Sequence, residues 1–328
     1  MDTKSLEYYH KLVEEKNFSK VAEFFEVSQP TITLAIKRLE NEYQTKFFLR
    51  DRSHKELILT KDGKQFDRHV VTILNELEIA RKEISRNQEQ MIRLGLPPII
   101  SQFYFPQITP GLTENKLLRR IEPYEEKGSA ILLKMLKDGT LDMSLLSSTT
   151  PLTDKNLKAH IISKANFKII VSPQHRLANR KSVTFNELVN ENFINLNSSF
   201  IHAEVFKHFA HEAHFRPTII FQTSDVPLLK SLVSQNTGIS LLTDLALKNT
   251  DDLVALDIET NIPLNFIVSI AYRRSHILTP NQSKLISLLT DKKWSRIIDF
   301  GIFDSRLLII YLLMSNYLGL FSAINSVV

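Results

Sequence analysis

The stretch 18–60 constrains the fold more than any other part of the chain, because it fixes several elements at short range. Phe18-Ser19-Lys20-Val21-Ala22-Glu23-Phe24-Phe25 has helical spacing, with Val21, Phe24 and Phe25 as its expected core, and Glu26-Val27 is a tight turn. Ser28 is then an N-cap, and Pro30 sits in the first helical turn, where its missing N–H goes unneeded. Beyond it Ile32, Ile36, Leu39 and Tyr43 form one apolar stripe, which places a third helix over 29–43. Leu6, Tyr9, Leu12 and Val13 mark a first helix that ends near Lys16-Asn17.

The face opposite the stripe carries Gln29, Thr33 and Lys37 at intervals of four, flanked by Pro30, Leu34 and Arg38 and preceded by Ser28 and Thr31. A charged helix face most often means only that the face is solvated. Here the cap, the proline and the tight turn together give the geometry by which the second helix of a helix-turn-helix enters the DNA major groove. Glutamine pairs with adenine edges, threonine with bases or phosphates, and lysine or arginine with guanine or the backbone. Leu34 is an apolar residue on that face, suited to a thymine methyl.

Residues 47–60 predict a small two-stranded wing. Arg50, Arg52 and Lys55 at its tip are placed to meet phosphates, while Phe47 and Leu57 close the core beneath it. Thr60 caps a long helix over 61–90, along which Phe66, Val70, Ile73, Leu77, Ala80 and Ile84 alternate at steps of four and three. That period favours a narrow seam against a second helix, and hence a dimer, over packing on the chain's own core, which wants a broader stripe. Two readers in one dimer take an imperfect inverted repeat of double-stranded DNA.

The length of 328 residues implies two or three folding units. With no cysteine, disulfides, thiolate metal sites and a cysteine nucleophile are excluded, and a reducing compartment fits. The N-terminus lacks an apolar export segment, so a cytoplasmic chain is expected. The net charge of +5 does not locate a DNA-binding part. Residues 1–93 hold 17 Lys/Arg against 16 Asp/Glu, and the rest hold 24 against 20. The placement of individual cations has to carry that argument.

From Met91 onward short apolar runs alternate with helical stretches, the signature of an α/β sheet. Strands are expected at 92–95, 118–123, 143–146, 167–171, 193–196, 218–222, 239–242 and 266–272. Helices are expected at 129–137, 200–211 and 226–235, and the box Thr184-x-x-Glu187 starts another. Ser101, Ser129, Ser147, Ser148, Ser198, Ser199, Thr223 and Ser224 gather at strand-to-helix junctions, where free N–H groups favour an anion. Each alone is most often a helix cap; their shared location points to a cleft.

His202, His208, His211 and His214 fall on or near one helix and read as surface or capping residues, because the His-Glu-x-x-His pattern of a zinc site is absent. No metal and no cofactor is expected. Eight glycines supply no Gly-x-Ser-x-Gly elbow, phosphate loop or dinucleotide fingerprint, so no catalytic constellation is in view.

The run from Ala22 to Glu40, with Phe48-Leu49-Arg50-Asp51 and Leu59-Thr60-Lys61-Asp62-Gly63, resembles the winged helix-turn-helix of LysR-type transcriptional regulators. Leu34 and Ala35 depart from it, since many members are polar there, and a typical member's base preference is not carried over. Ile92-Arg93-Leu94-Gly95, Gly128-Ser129 before Leu132-Leu133, Gly139-Thr140-Leu141-Asp142-Met143 and Gly238-Ile239-Ser240-Leu241-Leu242 resemble that family's effector-binding domain.

The resemblance implies an α+β multidomain chain. Its parts are an N-terminal all-α winged helix-turn-helix at 1–60, a dimerising linker helix at 61–90, and a two-lobed α/β effector-binding domain of periplasmic-binding-protein type at 91–294. Lobe I takes 91–163 plus 265–294 and lobe II 164–264, with crossovers near 163–164 and 260–265. It also implies a homodimer or homotetramer, a small anionic effector and contact with RNA polymerase. The alternative is a small-molecule-binding protein or enzyme with a degenerate N-terminal domain.

Leu96-Pro97-Pro98-Ile99-Ile100-Ser101 and the Ser-Gln-Pro-Thr-Ile-Thr segment are most similar to the subgroup that regulates malolactic fermentation, which implies malate or a related dicarboxylate. The effector contacts then expected are Pro98, Ile99, Ile100, Ser101, Ser129, Ser147, Ser148, Ser199, Phe200 and Thr223. The first junction is apolar where many members carry Ser or Thr, which leaves backbone N–H groups and Ser101 to bind the anion. Residues 295–328 lie outside the resemblance. Positions 307–328 hold 22 residues without a charge, long enough for a bilayer but interrupted by Ser315, Asn316, Ser322, Asn325 and Ser326. A membrane span, a buried extra helix and sequence foreign to the family all stand as readings of this tail.

Overall fold

The computed structural model describes residues 2–50, 57–87, 91–261 and 263–291. The chain divides into two compact units, Met1–Gln88 and Glu89–Val328. The apolar tail lies outside the described residues, and among those described no helix is long and apolar enough to cross a membrane.

The first unit runs α1 (Thr3–Glu15), α2 (Phe18–Phe24), α3 (Gln29–Glu42), β1 (Phe48–Arg50), β2 (Leu57–Leu59) and α4 (Lys61–Asn87). Each early helix is capped by its own sequence. Asp2 accepts the Ser5 N–H at 2.7 Å, Asn17 accepts those of Ser19 and Lys20, and Ser28 accepts that of Thr31. Glu26, with φ of 54°, makes the turn between α2 and α3 in the left-handed region.

Tyr9, Leu12, Val21, Ile32, Ile36, Leu39, Phe47 and Leu57 fill one core. Two expected core residues fall outside it. Phe24 is 62% exposed, with the Lys11 ammonium 4.5 Å from its ring centroid, and Ala22 is buried in α2 instead. Tyr43 is 46% exposed because α3 ends at Glu42, and Ala35 completes the buried stripe.

Gly63 shows why the Leu-Thr-x-x-Gly segment has its form. A Cβ there would lie 2.5 Å from the Phe47 carbonyl oxygen. Thr60 accepts the Gly63 N–H at 2.9 Å and donates to the Lys46 carbonyl at 2.8 Å, while the Tyr9 hydroxyl donates to the Gly63 carbonyl at 2.8 Å. The start of α4 is thereby sewn to the base of the wing. Further along α4 the expected seam divides. Phe66 and Val70 belong to this unit's own core, Phe66 stacking on Phe47 at 4.5 Å, whereas Ile73, Leu77, Ala80 and Ile84 face solvent.

The second unit begins with β3 (Ile92–Leu96), α5 (Pro98–Glu114), β4 (Ile121–Glu125), α6 (Ser129–Lys137) and β5 (Met143–Ser148). β3 pairs in parallel with β4 on one side and β5 on the other. After β6 (Leu157–Val171) and the short β7 (Ser182–Thr184), the same arrangement recurs with β8 (Asn192–Leu196), α7 (Ile201–Glu212), β9 (Thr218–Thr223), α8 (Val226–Ser234) and β10 (Ser240–Thr243). β8 pairs in parallel with β9, and its Phe193 forms an isolated parallel bridge with Ile239, the residue before β10. β11 (Val254–Glu259), β12 (Asn265–Arg273) and α9 (Pro280–Thr290) complete the unit.

β6 joins the two halves. Leu157 to Asn166 pair with β12, and from Phe167 onward the strand lies between β10 and β11. The expected crossing at 163–164 therefore sits inside one continuous strand, beside an irregularity where Val268 and Ser269 face Ser163 and Ile161.

Several local expectations change. Residues 118–120 form a 3₁₀ turn, and the strand begins only at Ile121. The box at Thr184 and Glu187 is present but caps a single 3₁₀ turn, Phe185–Leu188. β7, β11 and the first ten residues of β6 are strands that the apolar runs do not mark. Nor is α5 marked, since Pro106 and Pro110 lie inside it.

Candidate nucleic-acid interface and ligand cleft

On α3 the packing that buries Ile32, Ala35, Ile36 and Leu39 turns the other side outward. Ser28, Gln29, Pro30, Thr31, Lys37 and Arg38 are exposed, Leu34 is 54% exposed, and Thr33 is half-buried. Two hydroxyls on this side are already engaged. Thr31 Oγ1 shares a 2.8 Å hydrogen bond with Ser28, and Thr33 Oγ1 donates to the Gln29 carbonyl at 3.1 Å. The glutamine amide, the lysine and the arginine are the long side chains free of the core. Arg50 ends β1; its side chain, with Arg52 and Lys55, lies outside the described residues.

In the last turn of α3 sits Glu40, which in the sequence marks only the end of a motif. It is 7% exposed, and one carboxylate oxygen accepts the N–H groups of Phe47 (3.0 Å) and Phe48 (3.4 Å) while the other pairs with Lys46 at 2.7 Å. The carboxylate thus ties the C-terminal end of the reading helix to the root of the wing.

In the second unit, helices follow the C-terminal ends of parallel strands, the position where open α/β sheets bind ligands. Of the ten expected contacts, the structure brings some together. The Ser147 N–H donates to Ser129 Oγ at 2.9 Å, and the two hydroxyls are also 2.9 Å apart. Gly128, just before α6, packs so tightly on Ser199 that a Cβ would overlap the Ser199 carbonyl oxygen. This contact closes the first half against the second. Beside it the Lys127 ammonium donates to Ser224 Oγ at 2.8 Å. Ser199 donates twice to Asn197 Oδ1, Thr223 Oγ1 accepts the Asp225 N–H at 3.0 Å, and Phe200 is buried at the start of α7. Ser148 Oγ is buried without a partner among the described residues.

The junction at Pro98 departs from expectation. The Ser101 N–H donates to the Pro97 carbonyl at 2.9 Å and its hydroxyl to the Pro98 carbonyl at 3.0 Å, so neither is available to an anion. Pro97 and Pro98 have no N–H, which leaves the first turn only the donors of Ile99 and Ile100, whose residues are buried.

His202 is a core residue, not the surface or capping histidine expected. It is 2% exposed, enclosed by Phe167, Phe200 and Phe266, and its Nε2 accepts the Thr243 N–H at 3.2 Å. The proton therefore sits on Nδ1, which has no partner among the described residues, and burial pushes the pKa down to about 3. A histidine at the second position of a helix gives no sign of this; Phe167 and Phe266, both distant in sequence, complete its enclosure. His211 and His214 are exposed as expected and help line an open groove of about 1010 Å³ with Phe185, Phe209 and Glu259. None of the ten expected effector contacts lines that groove. Among the described residues no group of three or more His, Asp or Glu could hold a metal.

Between the halves, the Tyr104 hydroxyl of α5 bonds to Ser163 of β6, and burial raises its pKa to about 12. Nearby Asp244, whose carboxyl burial also raises, accepts the Asn166 N–H at 3.2 Å.

Comparison with known proteins agrees with both units. The family described as bacterial regulatory helix-turn-helix protein, lysR family, matches residues 3–64, and that described as LysR substrate binding domain matches residues 85–294. The chain is 32% identical over 294 residues to the malolactic fermentation system transcriptional activator of Lactococcus lactis subsp. lactis (strain IL1403), covering 89% of this chain and 99% of that protein. It is 30% identical over 252 residues to the HTH-type transcriptional regulator YwbI of Bacillus subtilis (strain 168), covering 76% and 83%.

Among solved structures, HinK, a LysR family transcriptional regulator from Pseudomonas aeruginosa, shares the fold with a TM-score of 0.52 at 19% identity, covering 89% of this chain and 98% of that one. The effector binding domain of QuiR in complex with shikimate matches with a TM-score of 0.53 at 15% identity, covering 61% and 95%. The names of these relatives are those of transcriptional regulators. The winged helix-turn-helix of the first unit, the paired three-strand arrangement of the second and the family matches across both show that this chain belongs to the LysR family of transcriptional regulators.

Proposed function

We propose that this regulator reads an imperfect inverted repeat through the outward side of α3 and answers to a small dicarboxylate held between the two halves of its effector-binding unit. The observation that carries the first part is the segregation on α3: its apolar stripe is buried while Gln29, Leu34, Lys37 and Arg38 stand exposed. Ser28, Pro30 and Thr31 open the helix, and Thr33 lies on the same side. Arg50, Arg52 and Lys55 are assigned to the flanking phosphates on their sequence position.

The domain limits are those implied by the resemblance: reader 1–60, linker helix 61–90, lobe I at 91–163 plus 265–294 and lobe II at 164–264. No role is given to 295–328. The assembly is a dimer or tetramer, supported by the exposed row Ile73, Leu77, Ala80 and Ile84 and by β9, whose Ile219, Ile220 and Phe221 are each more than 40% exposed. Contact with RNA polymerase follows from the regulatory role.

The dicarboxylate reading is supported by the likeness to the malolactic activator and by strand-to-helix junctions where Ser129 opens α6 against Ser147 and Ser148 at the end of β5, with Ser199 ahead of α7. Effector binding regulates only if the ligand binds two arrangements of the reading pairs unequally. Calorimetric titration with malate, succinate and citrate tests it: saturable binding of at least one is expected, and heat-silent titrations with all three would remove the dicarboxylate. For the reader, Lys37→Ala and Arg38→Ala are each expected to weaken binding to promoter DNA roughly tenfold. Unchanged affinity in a gel shift would reject this side of α3.

A further inference from the structure

We infer that Lys127 is a specificity-determining residue of the cleft: its ammonium reaches from the first half to Ser224 of the second, and a carboxylate takes Ser224's place as its partner. This rests on the reading that the cleft binds an anion.

The loop from β4 to α6 belongs to the first half and the loop from β9 to α8 to the second, and they are 97 residues apart in sequence, yet the Lys127 ammonium lies 2.8 Å from Ser224 Oγ. Next to it Gly128 has room only for a hydrogen against the Ser199 carbonyl. The two halves therefore meet at a point where one side contributes an exposed cation. A neutral hydroxyl offers the ammonium a hydrogen bond without an opposing charge. An ionised carboxylate adds Coulombic attraction to that hydrogen bond. The exchange is favourable for an acid and not for an uncharged ligand. Lys127 also directly precedes Gly128 and Ser129, so any movement of its side chain is felt where Ser129 holds Ser147.

The test uses the full chain with Lys127→Met, Lys127→Arg and Ser224→Ala, titrated calorimetrically with malate and succinate. Lys127→Met is expected to weaken binding at least tenfold, and Lys127→Arg to stay within about threefold of wild type. Ser224→Ala is expected to tighten binding about threefold, because the ammonium no longer has to leave a partner. Wild-type affinity in Lys127→Met, or equal weakening in Lys127→Met and Ser224→Ala, overturns the assignment.

Hydrogen exchange of the ligand-free proteins separates this from the dicarboxylate reading. Lys127→Met and Ser224→Ala should each speed exchange in 126–129 and 223–225 about threefold, and the double variant no further, since both delete one bond. Unaltered exchange in both single variants overturns the inference even where an acid binds. If no dicarboxylate binds the wild type, that reading fails alone, and the exchange result still decides whether the bond holds the mouth.

Discussion

Acidification from pH 7 to pH 5 is expected to cost the effector-binding unit about 2 kcal/mol through His202 alone. The ring is enclosed by phenylalanines, and burial holds its pKa near 3 against the ordinary 6.5. The unfolded chain therefore takes up a proton below about pH 6.5 that the native chain refuses until about pH 3. Stability rises with pH across that window and is complete above it. His202→Asn keeps a group able to accept the Thr243 N–H and removes the titration. Urea unfolding at both pH values should show the wild type's advantage over this variant shrinking by about 2 kcal/mol at pH 5. An advantage of the same size at both pH values would contradict the burial argument.

Glu40→Ala is expected to destabilise the N-terminal unit by about 3 kcal/mol, because it strands the Phe47 and Phe48 N–H groups at the buried root of the wing. Glu40→Gln retains an oxygen for both donors and should cost about 1 kcal/mol. Lys46 is 65% exposed, so its pairing with Glu40 contributes little, and Lys46→Ala should leave stability nearly unchanged. Thermal unfolding of the three variants orders them. A Glu40→Ala protein as stable as Lys46→Ala would mean that the carboxylate does not hold the wing.

Much of this architecture could be read from the residues, and the failures have a common physical cause. Caps and turns are local, so Ser28, Asn17 and the turn at Glu26 behave as their sequence demands. The stripe of Ile32, Ile36 and Leu39 is buried because helical periodicity alone decides which side faces the core. Phe24 and Tyr43 defeat the same logic at helix ends, where the period no longer fixes direction. β11 and the first part of β6 carry alternating exposed residues such as Lys158 and Asp257, and their pairing depends on partners far along the chain. The ligand cleft was legible only as a set of junctions. That Lys127 reaches Ser224 is a consequence of tertiary placement, whereas Ser101 spends both its donors on the prolines of its own helical turn.

The central claim is that the outward side of α3 discriminates DNA sequence, and competitive binding measures it most directly. Duplexes selected from promoter fragments by the full-length protein are compared with scrambled duplexes of equal length at several salt concentrations. The account predicts a preference of at least about a thousandfold, retained as salt rises and reduced by Gln29→Ala and Thr33→Ala. Equal affinity for selected and scrambled duplexes at every salt concentration would contradict it.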